Sequence, residues 1–136
     1  MQVHLKTIHE TSAAAGWAGP RSLVIDRTPR AGGLGIGFSG EELFMMSIAA
    51  SVCNSLYREA AERGIPVAHV EIVVNGDWGG DPVQARNIRY DITLESSAPR
   101  DDVEALIRSV DQAADIPQSL RAGTPVKLNS IDVRKG

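Results

Sequence analysis

The feature that most constrains this chain is a stretch that is apolar in every direction. Residues 43–57 carry no charge and only four polar side chains, Ser47, Ser51, Asn54 and Ser55. On a helix, Leu43, Met46, Ala50, Cys53 and Tyr57 form one stripe, Met45, Ala49, Val52 and Leu56 a second, and Phe44 and Ile48 lead a third. A helix apolar on all sides is expected to be buried on all sides. Its ends are marked. Ser39 with Glu42 has capping-box spacing, and Glu41 and Glu42 suit the positive pole of the helix dipole as Arg58 and Arg63 suit the negative one. Gly64 fits the left-handed closing position, and Pro66 stops any continuation. A chain of 136 residues has few ways to wrap such a helix alone, so a partner subunit is expected.

The rest of the composition narrows the class. One domain over residues 1–136 is the expectation at this length. The 14 basic and 17 acidic residues, net charge −3, are spread along the chain, with no basic cluster for nucleic acid and no basic amphipathic helix for a membrane. The central apolar run is too short and too dotted with serine to span a bilayer. The opening MQVHLKTIHE lacks the pattern of a signal peptide. One cysteine cannot form an internal disulfide, so a reducing cytoplasm is the expected compartment. His4, His9 and His69 lie far apart without ligand spacing, so no metal site is expected, and no cofactor is implied.

Periodicity gives the element order. Residues 2–10 read as a strand, 11–19 as a turn and 22–26 as a second strand, an N-terminal β-hairpin. The glycine-rich segment 27–37 reads as a flexible loop leading to the helix cap. After the helix, residues 69–75 and 87–95 alternate as two antiparallel strands with one wet face, separated by a break over 76–82. Pro99 opens a second, amphipathic helix with Asp101 and Asp102 in its first turn. Residues 116–120 suggest a short helical turn, and 125–133 a last strand. The fold class is α+β.

Read by themselves, the chemically suggestive residues have plain explanations. GGLGIG matches neither a GxGxxG strand-to-helix turn nor a P-loop, so it reads as a connection rather than a phosphate cradle. Glu41 and Glu42 read as cap and dipole residues. Cys53, inside an apolar stripe, reads as a small hydrophobe.

Set in order, however, Gly40-Glu41-Glu42-Leu43, Ala49-Ala50-Ser51, RGIPVAHVEIVVNGDW and Ile116-Pro117-Gln118-Ser119 resemble the OsmC/Ohr superfamily of peroxide-handling proteins. The family's marks are a Pro-Glu-Glu-Leu-like helix start, an Ala-Ala-Cys within that helix and a later Cys-Pro-x-Ser. The resemblance covers nearly all of the chain after residue 25. It implies an intertwined homodimer with two long central helices packed between sheets and active sites at the subunit interface. It also implies a mechanism, in which a thiolate in the central helix attacks a hydroperoxide and then closes a disulfide with the second cysteine. An arginine lowers the first thiol's pKa and is itself held by a glutamate near the helix start.

Matched residue by residue, the resemblance puts Ser51 at the attacking position and Ile116 at the resolving one, so both sulfurs are missing. Glu41 matches the family glutamate, with Gly40 in place of the preceding proline, and the arginine is Arg30 or Arg27. A serine hydroxyl near neutral pH is un-ionised and cannot cleave an O–O bond as a thiolate does. Cys53 lies two residues on, about 200° round the helix, facing a different wall from Ser51. Three functions follow as expectations. The first is a divergent, non-peroxidase member that binds a small apolar or amphiphilic ligand in the dimer-interface pocket, lined by Glu41, Ser51, Ile116, Arg30 and Arg27. The second is a one-cysteine organic hydroperoxide reductase using Cys53 as nucleophile. The third is a dimeric interaction module.

Overall fold

A computed structural model describes residues 1–135. The chain forms an N-terminal sheet of β1 (His4–Thr7), β2 (Ala14–Ala18) and β3 (Arg21–Ile25), then the long helix α1 (Gly40–Arg63). A second, two-stranded sheet follows, β4 (His69–Gly79) with β5 (Gln84–Glu95), and then α2 (Arg100–Ala113) and α3 (Asp115–Arg121). Two compact units divide these elements: Met1–Ala49 with Val73–Asp91, and Ala50–Ile72 with the chain from Ile92 onward.

In the first unit the strands run antiparallel in the order β1-β2-β3, with Leu5 opposite Gly16 and Gly16 opposite Leu23. The expected hairpin is present with one strand more, because residues 14–18, read as turn, pair on both sides. Ala-Ala-Gly-Trp-Ala lacks the β-branched signal of a strand. Its small side chains suit a central strand nevertheless, since Ile25 Cδ1 lies 2.6 Å from where a Cβ on Gly16 would be. Ala13, Ala14 and Ile48 are the buried apolar residues of this unit. The break expected at Gly76 does not occur, and β4 runs through to Gly79. Met45 explains it: its Cε comes within 2.6 Å of a Cβ position on Gly76, so the glycine admits a helix side chain rather than ending the strand. Phe44 and Trp78 add an edge-to-face pair at 5.6 Å.

The second unit has a conventional core. Val52, Leu56 and Ala60 of α1 and Leu106 and Val110 of α2 are at most 2 % exposed, with Ala114 and Pro117 also buried. Pro99 opens α2 as expected. The Arg121 guanidinium donates to the Asp111 main-chain carbonyl at 2.7 Å and to its carboxylate at 2.9 Å, tying α3 to α2. The strand expected over 125–133 is not formed. A strand needs a neighbour for its N–H and C=O groups, and here Val126, Leu128, Ile131 and Val133 are 76–96 % exposed.

The central helix itself is less enclosed than its composition implies. Ile48, Val52, Ser55, Leu56 and Ala60 are buried, whereas Met46 and Tyr57 are nearly half exposed and Ala50 is exposed between them. Within a single chain, one of the apolar stripes stays open.

Candidate functional site

The start of α1 is built as its sequence implies. The Ser39 main-chain N–H donates to Glu42 Oε1 at 2.9 Å, and the Glu42 N–H donates back to Ser39 Oγ at 3.2 Å. The Ser39 main chain, and then its hydroxyl, hold the Glu42 carboxyl below the usual carboxylate range. Glu42 is therefore structural. Glu41, beside it in the first turn, is exposed. No ion pair joins it to Arg27 or Arg30 among the described residues. Both arginines are exposed, Arg30 within a 3-10 turn over Pro29–Ala31 that Thr28 caps.

The loop before the helix is held from within by Asp26, a residue the sequence reading passed over. Asp26 is 3 % exposed at the end of β3. Its Oδ1 accepts the Arg27 N–H at 2.7 Å and the Ser12 hydroxyl at 3.5 Å, while Oδ2 accepts the N–H groups of Leu34 at 3.0 Å and Ile36 at 3.3 Å. Burial opposes its ionisation, but the N–H groups of Ile36, Arg27, Leu34 and Gly35 outweigh it and hold the carboxyl below its ordinary value. The flexible loop of the sequence reading is thus an ordered one. The available signal was an Asp leading a turn, a residue type that bonds to main chain just ahead of it.

Further along the helix, Ser51 and Ile116 meet. Ser51 Oγ accepts the Ile116 N–H at 3.1 Å, across 65 positions of sequence. The reason is local. Ala114 stands at the N-cap of α3 and has no side-chain acceptor to offer. One of the orphan N–H groups at that helix start is met from α1 instead. Ser51 is half-buried, and Ile116 is 37 % exposed. Cys53 is free and half-buried. The structure therefore brings together two of the expected site residues, Ser51 and Ile116.

The first unit also carries a feature that no motif signalled. An open apolar concavity of about 510 Å³ lies over the N-terminal sheet, lined by Val3, Leu5, Gly16, Leu23, Ile25 and the helix residue Leu43 among others. Among the described residues no group of three or more His, Cys, Asp or Glu is placed to hold a metal. No helix among them is long and apolar enough to cross a membrane.

Compared with known proteins, residues 32–129 match the model of the OsmC-like protein family, well over half of the chain. The chain belongs to the OsmC-like family. No functionally curated protein matches it in sequence. Among solved structures, an OsmC-like protein from Mycoplasma pneumoniae is 14 % identical with a TM-score of 0.77, covering 88 % of this chain and 86 % of the other. A putative osmotic stress induced and detoxification response protein from Psychrobacter arcticus 273-4 is 16 % identical with a TM-score of 0.75, covering 88 % and 87 %. A putative organic hydroperoxide resistance protein from Vibrio cholerae O1 biovar eltor, with captopril in one of its active sites, is 16 % identical with a TM-score of 0.58, covering 91 % and 85 %. At these identities the likeness is one of fold. This OsmC-like chain has an OsmC-like α+β architecture and a single cysteine, Cys53.

Proposed function

We propose that this chain is a divergent OsmC-like protein without two-thiol hydroperoxide chemistry, which binds a small apolar or amphiphilic molecule in a pocket at the interface of a homodimer. The observation that carries this reading is the contact of Ser51 with Ile116 at 3.1 Å. The two positions matched to the family's cysteines are neighbours, yet hold a hydroxyl committed to a main-chain N–H and an alkyl side chain. Neither ionises near neutral pH, and no sulfur–sulfur bond can join them. Ile116 supplies an apolar wall, while Glu41 with Arg27 or Arg30 supplies polar anchors for a head group.

Support for the dimer comes from what one chain leaves open: the Met46, Ala50 and Tyr57 stripe of α1 and the exposed Val126, Leu128, Ile131 and Val133. A homodimer burying more than about 2,000 Å² is the expected assembly. The Vibrio cholerae neighbour holds captopril in one of its active sites, a precedent on the same fold for a bound small molecule. The single cysteine suits a reducing cytoplasm.

Half-buried Cys53 supports one rival, a one-cysteine hydroperoxide reductase regenerated by an external thiol. Thermal melting with decanol and with decanoate tests the binder. A rise in Tm with either amphiphile is expected, and no shift with both at millimolar concentration would favour the interaction module instead.

A further inference from the structure

The buried carboxylate of Asp26 serves none of the roles above, and its surroundings say what it does. It lies at the hinge between β3 and the 27–37 segment, and the two ends of that segment are already joined beside it. The Asp26 N–H donates to the Phe38 carbonyl at 3.0 Å, and the Phe38 N–H to the Val24 carbonyl at 3.0 Å. The segment between them folds back on its own start. Gly33 donates to the Thr28 carbonyl at 3.0 Å and Gly35 to the Arg27 carbonyl at 3.3 Å. A Cβ on Gly33 would stand 2.0 Å from the Arg27 carbonyl oxygen, so only glycine allows so close a return. The N–H groups of Leu34 and Ile36 then point inward and need an acceptor. Asp26 provides it with Oδ2 and holds the outgoing Arg27 N–H with Oδ1.

Among the described residues no ion pair joins Asp26 to a cation. Its charge is met by main-chain N–H dipoles and one hydroxyl. A carboxylate is the side chain this arrangement needs. Asparagine has the same shape, but its NH₂ group would face N–H donors on one side and leave them unmet.

We propose that Asp26 is a positioning residue: by collecting the N–H groups of Arg27, Leu34 and Ile36 it sets the shape of the 27–37 loop, and so the place of Arg27 and Arg30. The proposal rests on the functional reading only where it gives those arginines to a ligand's head group. Asp26 touches no ligand in this account and acts through the loop.

The test compares the full chain with Asp26→Asn by residue-resolved hydrogen exchange and by titration with decanoate and decanol. Protection at Leu34 and Ile36, or at Arg27 where the amide turns its NH₂ to that side, should fall by roughly tenfold or more, while amides of the α1 residues 52–60 keep theirs. Decanoate affinity should fall while decanol affinity stays, because only the carboxylate uses the arginines. If Asp26→Asn fails to fold, Asp26→Ser keeps a small hydroxyl that cannot serve all the N–H groups of Arg27, Leu34 and Ile36, and a loss of protection among the three is again expected. Unchanged protection at Arg27, Leu34 and Ile36 together, or an equal loss along the helix, overturns the proposal. Should the wild type bind neither amphiphile, the ligand reading fails, and the exchange data alone decide the role of Asp26.

Discussion

The two units of this chain spend their apolar residues differently. In the helical unit Val52, Leu56, Leu106, Val110 and Ala114 are at most 1 % exposed, so it holds a closed core of its own. In the sheet unit Val3, Leu5 and Leu23 are 71, 56 and 41 % exposed, around a central strand of three alanines, a glycine and Trp17. The second arrangement has the composition of an interior without its cover. The contrast teaches that one chain can close one apolar cluster and leave another open. The helical unit keeps its core side chains out of water, whereas the apolar sheet face is open in a single chain.

Truncation should show this contrast most strongly. Leu106→Ala is expected to destabilise the chain by about 2–5 kcal/mol, the range for emptying a packed site. Leu5→Ala should cost under about 1 kcal/mol if its sheet face stays open, because so little of the side chain is then removed from water. Urea titrations at two protein concentrations sharpen the comparison. A Leu5→Ala loss that shrinks as the protein is diluted means a second copy covers the sheet. Equal, concentration-independent losses at both sites would break the contrast.

A cross-link tests the helical unit alone. Ser51→Cys with Ile116→Cys should oxidise to a disulfide, closing a loop of about 65 residues and adding up to about 4 kcal/mol on a chain-entropy estimate. Thiol counting and denaturation check it. Three free thiols persisting in the native state under oxidant, Cys53 and both introduced ones, would show that Ser51 and Ile116 are not neighbours in solution.

The two serine caps give a smaller, matched pair. Ser39→Ala removes a local cap in the sheet unit and Ser51→Ala a cap supplied to α3 from another helix. Each should cost about 1 kcal/mol. Exchange at the Ile116 amide should rise only in Ser51→Ala.

Acid gives the gentlest probe. Asp26 and Glu42, both in the sheet unit, have carboxyls lowered by their hydrogen bonds. The unfolded chain therefore takes up these protons at a higher pH than the folded one. Their stabilising contribution is fully present above the ordinary carboxylate pKa near about 4 and is lost as pH falls below it. Amides of the 27–37 loop should lose protection on acidification before those of residues 52–60, and Asp26→Asn should flatten that dependence. Simultaneous loss in wild type would contradict the assignment.

Much of this was legible in the residues themselves. The capping box at Ser39 and Glu42, the stop at Gly64, the amphipathic α2 and the short α3 are local patterns, and local patterns survive folding because their partners are three or four residues away. The Ser51–Ile116 meeting came through family resemblance, since no local signal links residues 65 apart. Three features stayed hidden for physical reasons. Strand β2, apart from Trp17, is made of alanine and glycine, which carry little β propensity. The continuity of β4 past Gly76 depends on Met45 arriving from a helix. The role of Asp26 depends on N–H groups eight and ten residues ahead, which carry no sequence identity of their own.

The central claim, an OsmC-like fold without its two-thiol chemistry, is tested most directly by organic hydroperoxide reduction with a dithiol reductant, on wild type and Cys53→Ser. The account predicts no catalytic turnover above the uncatalysed rate in either protein. Sustained turnover of cumene hydroperoxide by wild type that vanishes in Cys53→Ser would contradict it and make Cys53 the nucleophile.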